Sequence, residues 1–523
     1  MIWDFLEPSR ALCAAVLLVL MLRYWKSFID LRSRRRGLPF PPGPTRWPLL
    51  GNLLNAPSAW KPWLGYQKLI AKYGDVVYLE VLGRSMVILE SAEIMTEFLE
   101  KRSAITSDRP PSPLSFLVGQ QDNIGFLRYG PRWRSLRRGF WQHFHSGTIL
   151  AHHAMQESFA RKALARFLEP TSDVKAVIHY AFAGAILKVV YGVEVEDEKD
   201  PRVTALDEAF DGVREITAPV QFMLEMLPFL SRLPRWTPNL GALIAKLDRS
   251  KAAHQRVAIE QYNHTKNKVA GGEDNSSMVS KLLATVARSG SPYDEETTVI
   301  PIAAVAAEGQ CYLTSSTAEG FFLAMSLYPE VQKKARAELD AVVGPDRLPT
   351  FSDRENLVYV NAILKEALRW HNVAPLGVVH MTTEDTELRG RFIPAGTIVA
   401  PNMWACMHNP EVYPEPDTFN PDRFIRDGRL RNDVLDPASI IFGFGRRKCP
   451  GRHFADAMLY IIVATALHVF DISPPLDEHG RPINVRFEQS HGFISFPEDS
   501  RCVVKPRSAR IETLLRESLT GDV

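Results

Sequence analysis

The sequence predicts a mainly α chain with small β-sheets (α+β), one large body behind an N-terminal anchor. Three patterns predict it. Apolar residues recur at helical spacing from about residue 131 to 342 and again over 454–470. Short apolar runs, alternating with polar residues or broken by glycine and proline, occupy 75–90, 373–401 and the stretch after Ile472. An uncharged apolar run, 11–22, lies near the start, and arginines and prolines follow it.

That run is shorter than the ~20 residues that span a bilayer. Arg10, Arg23 and Lys26 can snorkel, and Tyr24, Trp25 and Phe28 suit an interface, so the usable span is longer. The start is acidic (Asp4, Glu7), while Arg32, Arg34, Arg35 and Arg36 follow the run, unlike a cleaved signal. The charge asymmetry puts the body in the cytosol. Leu38-Pro39-Phe40-Pro41-Pro42-Gly43-Pro44 is too rich in proline to be helical. The boundaries read 1–30 for the membrane anchor, 31–44 for a basic stop and proline-rich hinge, and 45–523 for the catalytic domain.

Within the body, 75–90 alternates around Gly83 and predicts a hairpin. Pro329 opens a helix with Val331, Ala335, Leu339 and Val342 on one face, and Gly344-Pro345 ends it. Gly390, Pro394 and Gly396 break 373–401 into strands and turns, 410–436 reads as irregular, and strands are expected after Ile472.

The 523 residues suffice for a large core, and 62 basic against 60 acidic residues imply no nucleic-acid partner. Cys13, Cys311, Cys406, Cys449 and Cys502 are few, odd in number and widely spaced, which argues for a reducing compartment. The sequons at Asn263 and Asn275 are therefore expected to be unused.

One stretch carries chemistry: Phe442-Gly443-Phe444-Gly445-Arg446-Arg447-Lys448-Cys449-Pro450-Gly451. A thiolate is a strong soft ligand for iron but needs shielding and stabilisation. The two glycines permit a tight turn near a flat cofactor. Pro450 and Gly451 start a helix whose free N–H groups and positive dipole end face the sulfur.

Phe442, Gly445, Arg447, Cys449 and Gly451 match the F-x-x-G-x-R-x-C-x-G pattern, and the chain resembles the cytochrome P450 family over nearly everything after Pro41. The resemblance implies that family's fold and a haem b whose iron is held by Cys449. Glu366 and Arg369 share a helix face three residues apart and resemble the family's E-x-x-R. Arg423, in Phe419-Asn420-Pro421-Asp422-Arg423-Phe424, would complete a structural triad. Trp133 and Arg137 resemble W-x-x-x-R and, with Arg447 and His380, are expected as haem propionate contacts.

The helix over the haem departs from the family. Its oxygen-activation segment should read A/G-G-x-D/E-T-T/S, but here Glu308-Gly309-Gln310-Cys311-Tyr312-Leu313-Thr314 stands. Gly309 leaves room beside the iron. Tyr312 takes the acid position and Leu313 the alcohol position of the usual proton relay. Thr314 is one residue further, about 100° around the helix. Glu308, one turn before Tyr312, is expected to share a water with it. Three readings stand open. A substrate hydroxyl supplies the proton path of a monooxygenase; Glu308 serves as a relocated acid; or a haem-thiolate isomerase or dehydratase needs no such relay.

The resemblance places pocket walls at Phe116-Leu117-Val118, Ile124-Gly125-Phe126, 303–307, 373–378 and Phe493-Ile494-Ser495, nearly all apolar. That favours a lipophilic substrate. The phrasing of Pro329-Glu330-Val331-Gln332-Lys333-Lys334 resembles fungal members of secondary metabolism, which implies a terpenoid or, alternatively, a polyketide. The reaction implied uses O2 and electrons from an NADPH-cytochrome P450 reductase, for which Arg128, Arg132, Arg134, Arg137 and Arg138 are a candidate docking face. The anchor implies the endoplasmic reticulum membrane.

Overall fold

A computed structural model describes residues 25–26, 29–58, 60–169, 173–214, 240–273, 276–288 and 294–520. The apolar run 11–22 and sequon residue Asn275 lie outside them; Asn263 is an exposed helical residue. The chain divides into two compact units.

The smaller unit comprises Met1–Ser58, Gly65–Pro110 and Val379–Pro401. The expected hairpin is β1 (Val76–Val81) and β2 (Arg84–Leu89), antiparallel with Val76 opposite Leu89. Leu82 and Gly83 both have positive φ, the tight turn whose twist suits a two-residue hairpin. β3 (His380–Met381) and β4 (Ile398–Pro401) complete a sheet in the order β1-β2-β4-β3, with β4 parallel to β2. Residues 38–44 are not helical, as their prolines require. A Cβ on Gly43 would meet the Tyr78 carbonyl oxygen at 2.1 Å, so only glycine lets this segment lie along β1.

The larger unit comprises Ala59–Leu64, Pro111–Val378 and Asn402–Val523 and is built from helices. Those that matter are α1 (Pro131–Phe144), α2 (His153–Ala165), α3 (Val174–Tyr191), α4 (Pro201–Arg214), α5 (Leu240–Ala270), α6 (Ile300–Leu327), α7 (Pro329–Val342), α8 (Val358–Trp370) and α9 (Arg452–Val469). Pro329 stands in the first turn of α7, and Gly344 beyond its end has φ +78°. Val331, Ala335 and Leu339 are buried on one face of α7. α3 and α9 are apolar nearly all round and buried, the composition of core helices. Among the described residues only α3 is long and apolar enough to cross a membrane, and it is mostly enclosed by protein. α6 packs on α3, α5, α8, α9 and α1.

The C-terminal expectation needs correction. β5 (Phe470–Ser473) and β6 (Val503–Pro506) pair, but the chain then forms α10 (Ala509–Thr520) rather than another strand. Ile511, Leu514 and Leu515 recur at i, i+3, i+4, and Ile511 and Leu515 are buried.

Candidate active site

The cysteine loop is held by its own backbone. Gly443 and Gly445 have φ +74° and +52°, a conformation that L side chains rarely adopt. The turn brings Cys449 N–H to the Phe442 carbonyl at 2.7 Å. Gly451 caps α9, so the sulfur sits at a helix N-terminus. Burial pushes the Cys449 thiol up; the Gly451 and Arg452 N–H groups and the Arg137 and Arg452 charges oppose it, as they would stabilise a thiolate.

Trp133, Arg137, Arg447 and Cys449 come together. Arg447 donates to Ile124 O at 3.0 Å and Leu127 O at 2.7 Å, and its guanidinium lies 4.6 Å from the Trp133 ring centre. Trp133 Nε1 donates to the same Ile124 carbonyl at 3.0 Å, so its one donor is committed to backbone. Arg137 donates to the Lys448 carbonyl, and burial pulls it down to about 10. These bonds fasten the cysteine loop to α1 and to the 124–127 turn. His380 lies in the smaller unit, buried, with Nδ1 donating to Thr106 O at 2.8 Å.

Glu366 and Arg369 pair without solvent, and Arg423 joins them from a half-buried position. Arg369 Nε and Nη2 each donate to Glu366 at 2.7 Å, and both side chains are 0% exposed. Arg423 Nε adds a bond at 3.3 Å and Asn420 N–H one at 2.8 Å. Arg369 reaches on to Met407 O and Thr418 O, and Arg423 to Pro414 O, Glu415 O and Thr418 O. α8 thereby grips the 407–423 segment.

Between Ile302 and Ser326 the described side chains of α6 are buried except for one stripe. Val305 and Leu313 are half-buried and Gly309 is exposed, at i, i+4, i+8. Ala303, Ala304, Ala306 and Ala307 are buried, so of the expected 303–307 wall only Val305 opens. A Cβ built on Gly309 meets no atom within 4 Å. This roomy face, on a helix packed against the one that Cys449 leads into, fits a flat iron cofactor held by a thiolate.

Glu308 and Tyr312 part company. Tyr312 turns to α4, stacks on Phe210 at 3.7 Å and donates to Asp207 Oδ1 at 3.1 Å. Glu308 is buried and takes its bonds elsewhere: Gln120 Nε2 donates to it at 2.5 Å, and His254 Nδ1 donates to its other oxygen. A water shared by the pair, expected from their spacing, is therefore not needed by either side chain. Thr314 is buried. Sequence reasoning missed Gln120 and His254 because nothing local marks them. It also missed a Cys311–His179–Asp207 row, with Sγ 3.0 Å from Nε2 and Nδ1 3.2 Å from Oδ1. Burial raises that thiol and lowers His179 to about 4, so thiol and imidazole stay neutral and the row is no activated nucleophile.

Comparison with known proteins agrees with this geometry. The family model described as Cytochrome P450 matches residues 41–495. Cytochrome P450 monooxygenase COX2 of Coprinopsis cinerea is 36% identical over 490 residues, covering 93% of each chain. Cytochrome P450 monooxygenase 208 of Postia placenta is 38% identical over 516 residues, covering 96% of each. A cytochrome P450 monooxygenase of Armillaria gallica is 37% identical over 516 residues, 96% of this chain and 98% of its own.

Proposed function

Since the chain belongs to the cytochrome P450 family and is a haem-thiolate monooxygenase, we propose that it oxidises a lipophilic terpenoid in fungal secondary metabolism. The supporting observation is the stripe Val305–Gly309–Leu313, which offers a substrate no charge, while the neighbouring carboxylate of Glu308 is taken up by His254 and Gln120.

Bound against Cys449, haem b supplies the redox chemistry that activates dioxygen. The chain's own residues do the rest. The Gly451 and Arg452 N–H groups steady the thiolate. Phe442 closes the cysteine turn through its carbonyl. Arg137 and Arg447 would hold propionates with donors beyond those committed to backbone. Trp133 would stack behind them, and His380 keeps that role on sequence grounds. Glu366, Arg369 and Arg423 lock the segment before the cysteine loop. Gly309 keeps the face open, with Glu308 and Thr314 the polar residues beside it.

Electrons would come from an NADPH-cytochrome P450 reductase. Arg132 is paired with Asp122 at 3.0 Å and Arg137 turns inward, while the exposed Arg134, Arg138 and Arg446 would form the docking face. Residues 1–30 would anchor the chain in the endoplasmic reticulum membrane, with 31–44 as the hinge and 45–523 in the cytosol.

The test is a substrate panel. Reconstituted enzyme is titrated with terpene alcohols and hydrocarbons and with aromatic polyketides, following the haem absorbance shift and product by mass spectrometry. Terpenoid binding with oxygenated product supports the proposal; turnover of polyketides alone overturns it.

A further inference from the structure

Oxygen insertion balances as substrate C–H plus O2 plus an electron pair plus two protons, giving C–O–H and water. Protons must therefore enter a site lined by apolar side chains. On α6 the acid position is Tyr312, whose hydroxyl is committed to Asp207, and the alcohol position is Leu313, which has no exchangeable side-chain proton.

The acidic group nearest the open face by position is Glu308, adjacent to Gly309. Its carboxylate takes hydrogen bonds from two other elements. α5 contributes His254, whose Nδ1 donates to Oε1. The segment after residue 117 contributes Gln120, which donates to Oε2 at 2.5 Å and itself accepts from Asn123 at 2.6 Å. The outer end of the cluster reaches solvent: the His254 side chain is 13% exposed against 5% for Glu308.

We propose that His254 is a positioning residue for Glu308 and its proton source, so that this chain draws protons across α5 instead of through an acid–alcohol pair on α6. The inference rests on the haem-thiolate oxygenation described above. In each transfer the His254 Nδ1–H bond breaks and a Glu308 O–H bond forms. Glu308 then passes that proton to the open face, and solvent, which reaches the 13% exposed His254 side chain, restores the Nδ1–H. Gln120 keeps the carboxylate turned toward the pair. Burial alone would lower His254, but the charge of Glu308 and its bond outweigh it and raise the imidazole above its ordinary value. The other charged group beside His254 is Lys251 on its own helix: both side chains lie against Gly119.

The experiment compares wild type, Glu308→Gln and His254→Gln, each loaded with haem and supplied with reductase. Product and peroxide are measured per NADPH consumed across pH 6 to 9. Both variants are expected to yield about tenfold less product per NADPH and correspondingly more peroxide. That is short of the ~10²–10⁴ of a full general acid, because water partly stands in. Wild-type yield is expected to fall as pH rises, and that of His254→Gln to be flat. A second readout needs no turnover. A histidine raised in the folded state stabilises below about pH 6.5 and loses that contribution as pH rises through its folded value. The unfolding midpoint of loaded wild type is therefore expected to fall relative to His254→Gln over that window. Wild-type coupling in both variants, or a midpoint difference constant with pH, overturns the relay while leaving the monooxygenase standing. Wild type without product or thiolate spectrum overturns the oxygenation reading and the relay with it. If Glu308→Gln does not load haem, His254→Gln alone decides by the same two readouts.

Discussion

Truncating Glu366 to alanine removes the acceptor of four hydrogen bonds: two from Arg369, one from Arg423 and one from the Asn420 N–H. Arg369 is 0% exposed, so its charge would be stranded in the core. Breaking a buried pair by removing one partner costs about 3–5 kcal/mol. The Asn420 N–H, left unsatisfied, adds about 1–3 kcal/mol. The loss of about 4–8 kcal/mol rivals the whole stability of a folded domain, about 5–15 kcal/mol. Arg423→Ala should cost less, about 1–3 kcal/mol, because its bond to Glu366 is 3.3 Å long and most of its donors reach loop carbonyls near the surface. The assay is haem per polypeptide on purified protein, with the urea unfolding midpoint of whatever folds. Glu366→Ala should yield little haem-loaded protein, and Arg423→Ala a loaded protein with a lowered midpoint. Full haem content and a wild-type midpoint in Glu366→Ala would refute the argument that this triad locks the fold around the cysteine segment.

Other outcomes follow from the same geometry. Gly309→Ala meets no atom in the protein and trades a poor helix former for the best one, a gain of up to about 1 kcal/mol in the unloaded fold, yet it crowds the open face; turnover should drop while the midpoint rises or holds. Charge reversal at Arg134, Arg138 and Arg446 should slow reduction by NADPH and reductase and weaken its salt dependence, leaving dithionite reduction intact. His371 is fully enclosed, accepts from Gln489 at Nδ1 and donates from Nε2 to Ser316, and burial lowers it to about 3. The unfolded chain then binds a proton that the fold refuses, so stability should decline from about pH 6.5 toward pH 3 by up to about 1.4 kcal/mol per unit from this group. Urea midpoints against pH should show a shallower decline in His371→Gln; equal slopes would contradict a neutral buried imidazole.

Much of the fold was legible in the sequence because local chemistry dictates it. Gly83 announces the β1–β2 turn, Pro329 opens α7, and the glycines at 443 and 445 announce a loop that other residues resist. Glu366 and Arg369 were legible as neighbours by helical spacing, and Arg423 through the motif around it. α10 was misread because the short runs before it invite a strand, while its three apolar residues span barely one turn. His254 and Gln120 were not legible: they lie 54 and 188 residues from Glu308, and only the packing of α5 and the 118–127 segment on α6 brings them to it. The commitment of Trp133 to Ile124 was equally hidden, since a backbone carbonyl leaves no mark in the side-chain pattern.

The central claim is iron ligation by the Cys449 thiolate in a reductase-fed oxygenase. It is tested most directly by the ferrous–CO difference spectrum of the protein, reduced once by NADPH with a fungal reductase and once by dithionite. A thiolate-type band under both conditions, absent in Cys449→Ala, is the predicted result. A wild-type protein that binds haem but shows no thiolate band would contradict the account.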